Sequence, residues 1–159
     1  MKIAIIGAGP AGVMAGIIAL KNGHEIVFFD ERFALSTLLP TGGGRCNLAY
    51  AEFDNKELIS FYPRGSKFLL SVFSQFSTGD TLEFFENIGV KTYVQDDLRI
   101  FPTTNSSKDV QEKMLEELKS KKVRFIKEKI IKIEHGRNKF KLFTKNSFMN
   151  TKKLFFQGE

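Results

Sequence analysis

Residues 1–30 read MKIAIIGAGPAGVMAGIIALKNGHEIVFFD, and the way this run divides decides the fold. A lysine followed by a long apolar stretch has the outline of a signal peptide or a membrane span. Gly7, Gly9, Gly12, Gly16 and Pro10 nevertheless make a poor continuous helix, and the run passes into a strand-like EIVFFD rather than a polar flank. Divided as strand, turn, helix and strand, the same residues each acquire a physical role. Residues 2–6 form a short buried strand, 7–12 a turn, 11–21 a helix stopped around Asn22 and Gly23, and 25–30 a second strand. This division predicts no targeting segment and no membrane partner.

The turn, GAGPAG, is a GxGxxG with the flanks such a motif needs. Gly7 permits the tight turn, Gly9 lets the backbone approach a pyrophosphate, and Gly12 lets the helix pack on the strand, with Gly16 extending that packing. Pro10 lies in the turn and Ala11 opens the helix, whose N-terminal N–H groups face the anion. Asp30 closes the second strand 18 residues after Gly12, where a carboxylate accepts hydrogen bonds from ribose hydroxyls; Glu31 is the fallback. Strand, glycines, helix, strand and acid in order within thirty residues predict dinucleotide binding. The fingerprint does not choose between NAD and FAD, since both present a pyrophosphate and an adenosine ribose.

At 159 residues, with 42% hydrophobic and 26% charged, the chain is long enough for one core. Its one cysteine, Cys46, excludes an internal disulfide and suits a reducing compartment, so a cytoplasmic location is expected. The net charge of +6 is uneven: residues 108–153 carry 15 Lys/Arg against 6 Asp/Glu. A basic third raises nucleic acid as a partner. The lysines alternate with Ile, Phe and Leu in KEKIIKIE and KFKLFTK, however, as on strands with one solvated face, so no nucleic-acid partner is expected.

A second glycine cluster, TGGGRCN at 41–47, follows shortly after the strand that ends at Asp30. It is no P-loop, because Arg45 stands where the lysine of GK[ST] would be. Ligands of open α/β folds bind beyond the carboxyl ends of the strands. Gly42, Gly43 and Gly44 would let this loop lie along a dinucleotide with N–H groups toward its oxygens, Arg45 would add charge or a planar stack, and Asn47 would donate and accept. Passing electrons through a disulfide needs a second cysteine, which the chain lacks, so Cys46 is read as a packing or cofactor-contact residue.

GAGPAG followed by TGGGRCN resembles the YhiN/BaiN-type flavoproteins, FAD-dependent oxidoreductases of the aminoacetone oxidase-like group. YPRGSKFLLSVFSQF, DTLEFFENIGV and LRIFPTTNSSKDVQEKML follow in that family's order, so the resemblance covers nearly the whole chain. It implies FAD as cofactor, and it implies a backbone contact to adenine near Ile130. Arg99 matches the family's arginine before Val-Phe-Pro. There are departures. The family's approach to the triplet resembles GRKLLISGGGRCN, whereas this chain has ALSTLLPTGGGRCN, losing a lysine and a glycine and gaining Pro40; LAY follows Asn47 where the family tends to Thr-Asn. Family members also continue through an ATGG-type segment into a substrate domain.

The resemblance therefore implies an α/β fold: a Rossmann-like, FAD-binding three-layer fold with inserted helices and a C-terminal antiparallel meander, truncated before the substrate domain. Residues 1–49 and 123–159 are expected to form its core and 50–122 a mainly helical segment. The expected function is the FAD-binding portion of a flavin-dependent oxidoreductase acting on an unidentified small molecule. The alternative is a non-catalytic remnant that binds adenine nucleotides weakly or not at all. No catalytic residue is nominated, and the oligomeric state is left open.

Along the rest of the chain, helices are predicted at 55–61, 65–76, 81–88 with Asp80 as N-cap, and from Ser106 or Ser107 to 119. Strands are predicted at 90–94, 98–101, 123–126, 129–134, 139–144 and 153–156, with HGRN at 135–138 as a hairpin turn. Phe61, Phe68, Phe73, Phe76, Phe84 and Phe85 recur at helical spacing and are expected mostly in the core. Asp96 and Asp97 are expected in a solvated turn. His24 is placed in the helix-to-strand turn and His135 in the hairpin, and neither is read as a metal ligand, so no metal is predicted.

Overall fold

The computed structural model describes residues 1–157. In chain order the first elements are β1 (Lys2–Ile6), α1 (Pro10–Lys21), β2 (Glu25–Phe29), β3 (Ala49–Tyr50), α2 (Asn55–Ser60), α3 (Ser66–Phe73) and α4 (Thr78–Asn87). There follow β4 (Thr92–Val94), β5 (Arg99–Pro102), α5 (Ser107–Glu116), β6 (Val123–Ile126), β7 (Lys132–His135), β8 (Phe140–Phe143), β9 (Phe148–Thr151) and β10 (Lys153–Phe156). They form two units, one of Met1–Leu38 with the chain from Met114 onward, the other Leu39–Lys113. The division falls before the expected boundary at 49. Leu48 N–H donates to the Ile100 carbonyl (2.8 Å) and Ala51 N–H to that of Leu98 (2.7 Å), which ties residues 39–49 to β5.

In the first unit, α1 provides the crossover that two parallel strands require, and β1 and β2 pair from Lys2↔Glu25 to Ile6↔Phe29. β10 adds to the other side of β1 and β6 to the other side of β2, giving a parallel sheet in the order β10-β1-β2-β6. Side chains alternate between its faces. Phe28 points toward α1, where a Cβ on Gly16 would overlap its ring, and it stacks on its cross-strand partner Phe125 at 4.6 Å. Ala4, Val27 and Phe29 form a buried cluster with Leu142 of β8, against which Phe140, Met149 and Leu154 pack. The antiparallel meander β7-β8-β9 thus covers the opposite face, and helix, sheet and meander make the three layers of a Rossmann-like fold.

The second unit carries a small antiparallel sheet, β3-β5-β4, with the short helices α2 and α3 packed on each other and α4 beside β3 and β4. Here several expectations need correction. α4 starts at Thr78, not 81, because Ser77 caps it: Ser77 Oγ accepts from Asp80 N–H, and the Asp80 carboxylate accepts from Ser77 N–H at 2.7 Å. This holds the Asp80 carboxyl below its ordinary value, with the Ser77 hydroxyl the larger cause. The phenylalanine stripe is not core: Phe68 is 72% exposed, Phe61 59% and Phe76 42%, and only Phe85 of the six is buried. α3 spans eight residues and buries none of them.

In the meander, the expected strand at 129–134 begins only at Lys132, because Glu128 N–H turns back to the Ile126 carbonyl (2.9 Å). β9 escapes the sequence reading because a polar turn precedes it. Thr144 Oγ1 accepts from Ser147 N–H at 3.0 Å and from Asn146 N–H at 3.3 Å, closing a hairpin that polarity alone reads as loop. Among the described residues, no helix is long and apolar enough to cross a membrane.

Candidate functional site

Gly9 precedes α1 with an extended backbone, and Pro10 occupies the first helical position, where its missing N–H costs nothing. The turn before it is held from three sides. Gly7 N–H donates to the Phe29 carbonyl (2.9 Å), Ala8 N–H to Asp30 Oδ2 (2.8 Å), and Leu35 N–H to the Ala8 carbonyl (2.7 Å). Asp30 Oδ1 also accepts from Arg32 N–H at 2.8 Å. Asp30 therefore clamps the glycine turn to the end of β2. Two carboxylate oxygens offer about four acceptor sites, so these two bonds leave acceptor capacity over.

The glycines divide by what a side chain would meet. Gly7 has φ +95°, which a side chain rarely adopts, and a Cβ on Gly12 would overlap the Gly7 carbonyl oxygen. Gly12 thus serves the turn itself, and the helix-to-strand packing expected of it belongs to Gly16 against Phe28. At Gly9 the three atoms nearest to a Cβ all belong to the side chain of Gln157. The neighbour at Gly9 is thus a flexible side chain, where at Gly12 it is backbone. The surrounding cavity, about 770 Å³, is lined by Gly7, Gly9, Asp30, Glu31, Ile130 and Gln157 among others. That volume lies in the range of small-molecule sites.

Five residues expected from sequence thus line one cavity, Gly7, Gly9, Asp30, Glu31 and Ile130, while Pro10, Ala11 and Gly12 form the helix end beside the turn. Missed were Arg32, Glu128, Lys129 and Gln157, which also line it. Glu128 Oε2 is shut off from solvent and has no hydrogen-bond partner among the described residues. Gln157 continues the β10 ladder, its N–H donating to the Ile6 carbonyl at 2.9 Å, while its Oε1 accepts from Gly12 N–H at 2.7 Å. Only the strand before it signalled its place.

TGGGRCN lies in the second unit and is built by other rules. Gly42, Gly43 and Gly44 all have positive φ (56°, 67° and 84°), and so does Cys46 (63°). The left-handed turn points the Arg45 and Cys46 N–H groups at one oxygen, the Thr41 carbonyl, the latter at 3.0 Å. Those two N–H groups are therefore not open to a phosphate; the N–H groups expected to face one are those of the glycines. Arg45 Nε donates to the Gly42 carbonyl (3.2 Å), and its guanidinium lies 4.1 Å from the centre of the Phe101 ring. In the amide orientation that satisfies both its atoms, Asn47 donates to the carbonyls of Ala49 (3.0 Å) and Ile100 (3.2 Å). Cys46 is buried, and burial raises its thiol above the ordinary value, the Thr41 hydroxyl opposing. Such a thiol is poorly nucleophilic. Gly43 and Gly44 keep an open face, with no atom of the described residues within 4 Å of a Cβ there.

Arg99 pairs with Asp97, whose carboxyl is held below its ordinary value chiefly by the guanidinium hydrogen bond. His135 lies against the Phe140 ring at 4.8 Å. Among the described residues, no group of three or more His, Cys, Asp or Glu is placed to hold a metal ion.

The family model for the HI0933-like protein Rossmann domain matches residues 1–158. The 3-dehydro-bile acid delta(4,6)-reductase of Clostridium scindens is 33% identical over 126 residues, which are 77% of this chain and 30% of that protein. The chain thus spans under a third of that relative's length. Among solved structures, the Diels-Alderase PyrE3 of pyrroindomycin biosynthesis matches 98% of the chain and 32% of its own, at 16% identity and a TM-score of 0.55. The bacillithiol disulfide reductase Bdr of Staphylococcus aureus matches 100% of the chain and 38% of its own, at 12% identity and a TM-score of 0.52. These identities speak for the fold alone.

Proposed function

The chain belongs to the HI0933-like, YhiN/BaiN-type flavoprotein family, and from that premise we propose that it is the FAD-binding portion of a flavin-dependent oxidoreductase. The observation that carries the proposal is Gly9. Its backbone lines a cavity beside the start of α1 with Asp30, and the three atoms nearest to a Cβ there all belong to one flexible side chain, that of Gln157. Such a turn suits a pyrophosphate, and a helix N-terminus favours its charge.

In this reading the start of α1 and the backbone at Gly9 hold the pyrophosphate. Asp30, with Glu31 beside it, accepts from the adenosine ribose, and the backbone at Ile130 borders the adenine. Within the second unit, the open faces of Gly43 and Gly44 are the backbone offered to the cofactor. Arg45, Cys46 and Asn47 shape that loop from inside. When bound, the flavin ring supplies hydride and electron transfer. The chain's own residues bind and orient it; the substrate is a small molecule, and the setting is cytoplasmic.

The test is FAD retained per protein after incubation and gel filtration, read from the visible spectrum, for the parent and Gly9→Val. The parent is expected to stay yellow and the variant to elute colourless with its fold intact. A folded parent that elutes colourless, and shows no heat of ADP binding, would sink the proposal.

A further inference from the structure

We propose that the Gln157 side chain is a built-in competitor of the dinucleotide, seated in the glycine turn and displaced when the ligand binds. The inference rests on the reading of that turn given above. Three observations converge on one side chain. Gln157 Oε1 accepts the Gly12 N–H at 2.7 Å, one of the few donors that the start of α1 has for an anion. The three atoms nearest to a Cβ on Gly9 are all of the Gln157 amide, Nε2 first, so that amide fills the space beside the Gly9 backbone. Its Cβ also lies 3.0 Å from the Cβ position of Gly7 and its Oε1 2.8 Å from that of Gly12, so one residue spans the turn.

The backbone of Gln157 is fixed by its N–H bond to Ile6 at the end of the parallel sheet. The side chain, by contrast, has three rotatable bonds and is tied to the turn by the Gly12 bond, so it can leave without any strand moving. Both sides compete for the same N–H. A neutral amide oxygen is a weaker partner than a phosphate oxygen at the positive end of a helix, so the ligand prevails once its concentration suffices. Gln157 therefore lowers apparent affinity by the fraction of molecules in which it is swung out. For one neutral hydrogen bond of ordinary net strength that factor is roughly two- to tenfold.

The experiment uses the full chain as parent, Gln157→Ala and Gln157→Glu. Hydrogen exchange at the Gly12 amide is followed by NMR without ligand, and ADP and FAD are titrated by calorimetry. Gly12 should be protected in the parent and exposed in Gln157→Ala, which should bind ADP roughly two- to tenfold more tightly. Gln157→Glu, with a charged acceptor that holds Gly12 and repels phosphate, should bind more weakly than the parent. Equal Gly12 exchange in parent and Gln157→Ala would overturn the contact whether or not nucleotide binds. Equal or weaker ADP binding by Gln157→Ala, with Gly12 exposed, overturns the competition and leaves the dinucleotide site standing. If parent and Gln157→Ala both fail to bind ADP and FAD, the dinucleotide reading falls, and the competition with it.

Discussion

The two glycine clusters look alike in sequence and are glycine-rich for opposite reasons. From GAGPAG into α1 the main constraint is closeness: beyond Gly7, whose φ is +95°, Gly9, Gly12 and Gly16 have ordinary backbone angles, and added Cβ atoms would strike Gln157, the Gly7 carbonyl and Phe28. In TGGGRCN the constraint is handedness: all three glycines have positive φ, yet only Gly42 has close neighbours, Asn47 N at 2.8 Å and Phe101 Cε1 at 2.9 Å. A glycine crowded by backbone is structural.

The sharpest division is inside the first cluster. Gly12→Val drives its side chain into backbone and should cost about 3 kcal/mol or more in urea unfolding. Gly9→Val should cost about 1 kcal/mol or less, because its nearest neighbour, the Gln157 side chain, can give way, while ADP binding is lost. Equal destabilisation by the two would erase the distinction.

Within the second cluster, Gly42→Ala adds contacts to a left-handed backbone and should cost about 2–3 kcal/mol. Gly43→Ala meets handedness alone, at about 1 kcal/mol, and Gly43→Asn less still, since asparagine visits that region. The order is read from thermal midpoints, and a Gly43→Ala as damaging as Gly42→Ala would show that its face is not open.

Asp30→Ala should lower stability by about 1–3 kcal/mol with no ligand present, because the Ala8 and Arg32 N–H groups lose their acceptor. A loss seen only in ADP affinity would mean that Asp30 serves the ligand and not the turn.

The smallest effect concerns Cys46. Its thiol is raised by burial, so the folded state resists forming the thiolate that the unfolded chain forms readily. Stability is therefore full below the unfolded thiol's value, about 8.5, and declines as pH rises from there toward the folded value. Unfolding midpoints from pH 7 to 10 should fall more for the parent than for Cys46→Ala, and iodoacetamide should label Cys46 only slowly at pH 7.5. Rapid labelling of the folded protein would contradict the buried setting.

Much of the first unit was legible because its signals are local. The strand, turn, helix and strand of residues 2–29 lie consecutively, each marked by its own period or glycine, and the structure places them within a residue of expectation. The triplet was legible as unusual but not as to cause. Its left-handed φ values spend the Arg45 and Cys46 N–H groups on Thr41, and β5, distant in sequence, supplies Phe101 under Arg45 and the Ile100 carbonyl to Asn47. Leu35 shows the same limit. In the register set by the triplet it falls where the family-like string GRKLLIS has glycine, and it keeps a positive φ of 59° while fully buried. Burial of a leucine, worth about 1.5–3 kcal/mol, outweighs a left-handed cost of about 1–2.

By itself the sequence determined the βαβ start, the acid that ends its second strand, and the presence of glycines where backbone must be close or left-handed. These follow from preferences of a few adjacent residues. Tertiary structure alone decided that β10 lies against β1, pairing Ile3 with Lys153, and β6 against β2. Strand pairing across such distances is chosen by the packing of both sheet faces, which no local pattern encodes. The same packing sets Gln157 over Gly9, and so decides whether the glycine turn meets a ligand as open backbone or as a seat already taken.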